Sequence, residues 1–172
     1  EMVFQPEFGN LQSAAPHDDQ GLVVERARPE DLAEIVDVAG GAFGNERFHV
    51  DPRLPSRLGD LRYQNWVRSS LEHPTQRLHA LRDGRELVAF FVTEQLPDGT
   101  CYWHLNAVAP NRQGRGYGLR AWRAMMNQAR LEGATRVRTS IVARNHRVLN
   151  LYARLGFSFP APSMTFHRVR AA

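Results

Sequence analysis

The sequence predicts one α/β domain with a mixed central sheet and helices on both faces, in the order βααβββαβαββ. Three observations lead there. Asp83-Gly84 and Pro97-Asp98-Gly99 mark the turns of a three-stranded antiparallel meander. After Pro110 the chain changes to helices alternating with single strands, the pattern of crossover connections. Ahead of the meander stand one strand and two helices.

Each element has a local reason. Residues 1–20 hold no sustained period and contain Pro6, Gly9 and Pro16, so they are expected to form an irregular arm or linker, with the domain over residues 21–172. Leu22–Arg28 reads as a short strand. Pro29 suits the first position of a helix, and Glu30 and Asp31 complement its dipole. Leu32, Ile35, Val36 and Ala39 follow at i, i+3, i+4 and i+7, and the helix ends near Gly40-Gly41. A polar, aromatic-bearing loop from Phe43 to Pro55 leads to a helix over about Ser56–Leu71, carried by Leu58, Leu61, Trp66, Val67 and Leu71. The meander strands are Arg77–Arg82, Glu86–Glu94 and Cys101–Ala109. Leu119, Trp122, Met126 and Ala129 mark a long helix that Gly133 terminates. Thr135–Val142 is rich in β-branched residues and reads as a strand. Asn145 caps a helix with Val148, Leu151, Tyr152 and Leu155 on its apolar face, Gly156 ends it, and short strands are expected at Phe157–Phe159 and Ser163–Val169.

Composition excludes several functions. A chain of 172 residues builds its own core without staples. All 22 basic residues are arginine, which removes Schiff-base, Walker A and kinase lysine chemistry together. The lone Cys101 rules out an internal disulfide and a multi-cysteine zinc site, no metal is expected, and a reducing, cytoplasmic setting follows. No apolar run approaches the ~20 residues of a membrane span. The net charge of +4 fits an anionic small molecule better than nucleic acid, because no recognised nucleic-acid module accompanies it. A monomer or homodimer without nucleic-acid or membrane partners is expected.

The turn Arg112-Gln113-Gly114-Arg115-Gly116-Tyr117-Gly118 lies between a strand and a helix start. Glycines there let a ligand approach the backbone closely, and the first free N–H groups of the helix, with its dipole, favour a phosphate or pyrophosphate. Arg112 and Arg115 offer fork-shaped donors for further phosphate oxygens. The dinucleotide fingerprint needs G-x-G-x-x-G and an acid after the next strand, and neither is present. The remaining alternative is a turn that serves only chain reversal.

This stretch, from Val108 to Gly118, resembles the acyl-CoA-binding motif Q/R-x-x-G-x-G/A of the GNAT superfamily of N-acetyltransferases. The segment Asn145 to Phe157 resembles the same family's N-x-x-A-x-x-L-Y-x-x-x-G-F, with Val148 replacing the usual alanine. The resemblance spans about Leu22 to Arg170 and implies two central parallel strands, ending at Ala109 and Val142, that splay apart. It implies that acetyl-CoA enters the gap, its pantetheine arm along Ala107, Val108 and Ala109 and its pyrophosphate on the amides of Gln113, Gly114, Arg115, Gly116, Tyr117, Gly118 and Leu119. Arg112, Asn145, Tyr152 and Arg154 complete the implied cofactor-binding set.

By motif position Tyr152 is the general acid toward the CoA sulfur, and a backbone N–H near Val108 is the oxyanion donor. The position where some members carry a basic glutamate is Ser140 here, which leaves Glu94 or His104 as candidate bases, or a water chain with neither. In an unbulged strand His104 shares a face with Tyr102 and Asn106. The acceptor is expected to be a small-molecule amine held by Arg47, His49, Asp51, Trp66 and His167. The segments around these residues resemble sugar-nucleotide N-acetyltransferases of the dTDP-fucosamine type, implying a nucleotide-linked amino sugar. A protein N-terminus or another amine, or a non-catalytic acyl-CoA-binding module, are the competing readings.

Overall fold

The computed structural model describes residues 1–166 and 168. Its elements are β1 Met2–Phe4, β2 Glu7–Phe8, β3 Val23–Arg26, α1 Leu32–Ala42, α2 Arg47–Val50, α3 Ser56–Ser70, β4 Gln76–Asp83, β5 Glu86–Gln95, β6 Thr100–Val108, α4 Tyr117–Leu131, β7 Arg136–Thr139, β8 Ile141–Val142, α5 His146–Arg154 and β9 Ser163–Met164. The six-stranded sheet runs β2-β7-β6-β5-β4-β3, and a separate three-stranded sheet runs β8-β1-β9. All pairings are antiparallel except β6 with β7. No helix among the described residues is long and apolar enough to cross a membrane.

The meander and the helices α1, α3, α4 and α5 follow the sequence reading, but the loop expected from Phe43 to Pro55 contains the short helix α2, a single turn too brief to show a period. Gly84, at φ 60°, turns β4 into β5, and Gly99, at φ 81°, turns β5 into β6. β5 carries the run Leu87 to Val92, buried on both faces as a central strand requires. Phe91, Trp103, Trp122, Met125, Met126 and Tyr152 fill the core under α4 and α5. Phe90, Val92, Leu105, Ile35, Tyr63 and Val67 fill the other, under α1 and α3. Each large apolar side chain buried this way contributes about 1.5–3 kcal/mol.

The N-terminal stretch departs from the irregular arm expected for residues 1–20. β1 pairs with β8 and β9, β2 pairs with β7, and Val3 and Leu11 are buried. Glu7 also meets the Arg138 guanidinium at 2.6 Å. These strands are two or three residues long and Pro6 separates them, so no alternation could reveal them. Their stability comes from distant partners. The strand expected at Phe157–Phe159 reduces to one bridge between Ser158 and Glu7. Ser163–Met164 forms the described part of the last strand, and Val169 lies outside the described residues.

Two irregularities create the site. The strand expected over Thr135–Val142 breaks at Ser140: β7 stays beside β6, while β8 leaves to join β1. The last β6–β7 pair is Trp103 with Thr139, yet β6 continues to Val108 with that edge open. The second irregularity is a bulge. Val92 pairs with Leu105 but Thr93 pairs with Trp103, so His104 is an extra residue on β6. Cys101 and Trp103 therefore enter the core under α4, whereas Leu105 and Ala107 enter the core under α1.

Candidate active site

The gap between β6 and the diverging β7–β8 limb opens into a cavity of about 770 Å³. Leu105, Asn106, Ala107 and Val108 form its floor, the starts of α4 and α5 one wall, and the α1–α2 connection with α3 the other.

At the α4 end, Gly114 (φ 78°) and Gly116 (φ 82°) adopt the left-handed conformation that glycine takes without strain. Gly116 occupies the N-cap position and supplies no side-chain cap. The first intrahelical bond runs from Arg120 N–H to Gly116 carbonyl at 3.5 Å, so the preceding amides of Tyr117, Gly118 and Leu119 have no helical acceptor. A Cβ at Gly114 or Gly116 would project into open space. Such a cradle fits a diphosphate, with Gln113, Gly114, Gly116, Gly118 and Leu119 on the cavity wall.

Other members of the expected donor set divide. Arg112 is paired with Glu86 of β5 rather than turned to the cavity. The Tyr117 hydroxyl donates to Asp83 at 2.8 Å and ties the β4–β5 hairpin to α4. Arg115 and Ala109 do not line the cavity, whereas Asn145 and Arg154 do. The Asn145 side chain accepts from Val148 N–H at 3.3 Å and so caps α5. Arg147, which the sequence reading did not single out, also lines the cavity and reaches Gln113 at 3.5 Å. Its place in the first turn of α5, two residues after the cap, was the available signal.

Along β6, Ala109 N–H donates to the Val88 carbonyl at 2.9 Å. Alternation then turns the N–H and C=O of Val108 to the open edge. Gln113 Nε2 occupies that carbonyl at 3.2 Å, and the N–H points into the gap. Tyr152 is fully buried and is not itself a lining residue; its hydroxyl faces Trp122, Thr139 and Asn106, of which Trp122 and Asn106 line the cavity. Burial pushes its pKa up to about 12, and those neighbours oppose part of the rise.

The bulge corrects the expected arrangement around His104. Asn106 pairs with Phe91 and faces the Tyr152 side, while Tyr102 and His104 remain on the α3 side, with Trp66 6.1 Å from His104 between ring centres. There His104 Nε2 lies 2.7 Å from Glu94 Oε2. Hydrogen bonds from Thr75 and His104 hold the Glu94 carboxyl below its ordinary range. An ionised Glu94 accepts the Nε2 proton, which leaves Nδ1 as the basic nitrogen of His104.

The acceptor half is only partly the one expected. Arg47 and Trp66 line the cavity, as do Glu46, Phe48, Arg62 and Tyr63. His49 instead bonds Asp60 at 2.8 Å and packs so tightly on Gly59 that a Cβ there would collide with its ring. Asp51 is buried and binds Arg53 at 2.6 and 2.8 Å, closing the loop after α2. Both residues shape the loop rather than the cavity. His167 lies outside the described residues. Burial, reinforced by Glu1, raises the pKa of Glu46, a loop residue that no periodicity marks.

The chain is 22% identical over 139 residues to the spore coat polysaccharide biosynthesis protein SpsD of Bacillus subtilis, a match covering 81% of this chain and 48% of that protein. The chain thus spans about half the length of this relative. The structure of the Bacillus subtilis protein YycN superposes with a TM-score of 0.69 at 17% identity, covering 87% of this chain and 99% of that one. The PaiA N-acetyltransferase of Thermoplasma acidophilum, solved in complex with coenzyme A, superposes with a TM-score of 0.58 at 11% identity, covering 78% and 88%. The family model for the acetyltransferase (GNAT) family matches residues 41–157, a stretch that runs from the end of α1 through the cradle to Phe157. With the splayed strands, the uncapped glycine cradle and this match over most of the chain, the protein belongs to the acetyltransferase (GNAT) family, whose members draw their acetyl group from acetyl-CoA.

Proposed function

We propose that this chain transfers the acetyl group of acetyl-CoA to the primary amine of a small molecule, and that the acceptor is a nucleotide-linked amino sugar. The observation that carries the reading is one continuous cavity joining the α4 cradle to a polar, aromatic half lined by His104, whose Nε2 lies 2.7 Å from Glu94 Oε2. The naming of SpsD as a polysaccharide biosynthesis protein supports the sugar class.

In this reading Gln113 to Leu119 hold the donor diphosphate, with Asn145, Arg147 and Arg154 beside it. His104 Nδ1 takes a proton from the acceptor nitrogen, and Glu94 fixes the tautomer that makes this possible. The nitrogen bonds to the thioester carbon, the Val108 N–H stabilises the resulting oxyanion, and the C–S bond then breaks. A thiol ionises near 8.5, whereas Tyr152 ionises near 12, so its phenol keeps its proton and stabilises the leaving thiolate as a hydrogen-bond donor. Glu46 favours a cationic acceptor in the same half.

The test is thiol release from acetyl-CoA over a panel of nucleotide-linked amino sugars, free amino sugars, polyamines and peptides. Fastest turnover with the first group supports the reading. Preference for peptides refutes the sugar class, and silence across the panel with intact CoA binding favours a non-catalytic binding module.

A further inference from the structure

The acceptor half holds a cation that the chemistry above leaves unused. Arg62, on α3, lines the cavity. Its guanidinium carbon lies 4.6 Å from the centre of the Phe48 ring and 5.7 Å from that of Trp66. Arg47, also near the Phe48 ring at 4.8 Å, is engaged by Glu1 at 3.6 Å. Among the described residues, Arg62 has these ring contacts and no ion pair.

An arginine laid against aromatic rings keeps its planar fork in place while the N–H groups at its edge stay open. That fork matches the paired oxygens of a phosphoryl group or a carboxylate. The donor phosphates do not need it. The cradle and the cations Arg147 and Arg154 belong to α4 and α5, which cover one face of the sheet, whereas α3 packs on the other. The two ends of the cavity therefore attract anions separately, one from each face.

We propose that Arg62, steadied by Phe48 and Trp66, is an anion-binding subsite for the acceptor, taking the phosphoryl group of a nucleotide-linked amine or a carboxylate in its place. This rests on the reading that the acceptor enters between α3 and β6. The subsite makes the enzyme selective: an amine bearing such a group is preferred over the same amine without it.

The experiment uses the full chain saturated with CoA, so that the cradle is filled, and titrates it calorimetrically with uridine diphosphate and with succinate. Wild type is expected to bind one of them, and Arg62→Ala to bind it about 10- to 100-fold more weakly, the loss of a hydrogen-bonded charge. Arg62→Lys, which keeps the charge without the fork, should fall between. Uridine diphosphate as the Arg62-dependent ligand identifies a phosphoryl group; succinate identifies a carboxylate. Equal affinity in wild type and Arg62→Ala, with matching melting temperatures, overturns the proposal, as does wild type binding neither. Failure of the catalytic reading shows separately, as a silent thiol-release panel. If turnover is present, the kcat/KM ratio between a nucleotide-linked amino sugar and the free amino sugar must drop in Arg62→Ala; an unchanged ratio also overturns the subsite.

Discussion

Removal of His104 should cost most where the acceptor amine is protonated. Each pH unit below the amine's own pKa lowers the free-amine fraction tenfold, so the enzyme depends on its base at neutral pH and progressively less as the medium becomes alkaline. A positioned general base contributes roughly 100- to 10,000-fold. His104→Ala should therefore lower acceptor kcat/KM by about 100-fold or more at pH 7, with the deficit shrinking toward pH 10. Glu94→Gln is the sharper perturbation, because it preserves shape. The Nε2–Oε2 distance of 2.7 Å leaves room for either end of an amide. If the amide nitrogen faces His104, it donates to Nε2, moves the ring proton to Nδ1 and abolishes the basic nitrogen. A loss of about 10- to 1,000-fold is expected, larger than removal of a neutral contact would give. Glu94 is held ionised by Thr75 and His104, with its pKa shifted downward, so protonation of Glu94 should not shape the profile between pH 6 and 10. The assay is thiol release across that range, with the acetyl-CoA KM as a control. A deficit of equal size at every pH would show that His104 acts only structurally, and wild-type rates in His104→Ala would remove the pair from the chemistry.

Three further outcomes follow from the geometry. Tyr152→Phe should lower kcat by about 10- to 100-fold, the scale of one hydrogen bond to a developing charge, and the acceptor KM should change little; unaltered kcat would end its role. Gly116→Ala forces a side chain onto a backbone at φ 82° and into the diphosphate space, so CoA affinity measured by calorimetry should fall by about tenfold or more, while acceptor selectivity is retained. His79 of β4 is buried, bonds Thr93 of β5 at 3.0 Å, and is pushed down by burial to a pKa of about 4, against the opposing pull of Glu132. The folded pKa lies below the unfolded value of 6.5, so the neutral ring's contribution is complete above pH 6.5 and is lost as pH falls toward 4, on the order of 3 kcal/mol in all. Urea midpoints should drop across that window, and a His79→Leu variant should show a shallower decline.

Much of the fold was legible because its signals are local. Asp83-Gly84 needs no distant partner to make a turn, and Gly114 and Gly116 relax their backbone by lacking a Cβ. Asn145 caps α5 from three residues away. The short N-terminal strands were invisible for the opposite reason: two or three residues cannot display a period, and Glu7 finds Arg138 only once the sheet is assembled. The site divided along the same line. Glycines and backbone amides stayed where the motif put them, whereas charged side chains followed their partners, Arg112 to Glu86, His49 to Asp60 and Asp51 to Arg53.

The sequence by itself determined the longer helices, the meander and the glycine turn ahead of α4, since each depends on backbone sterics within a few neighbouring residues. Only the tertiary structure decided that Asn106 leaves the face of Tyr102 and His104, because one extra residue on β6 reverses the alternation beyond it. It also decided the open edge of Val108, because the strand expected over Thr135–Val142 divides: β7 stays on β6, while β8 leaves to pair with β1 from the far end of the chain. Local chemistry chose the elements; long-range pairing chose what they face.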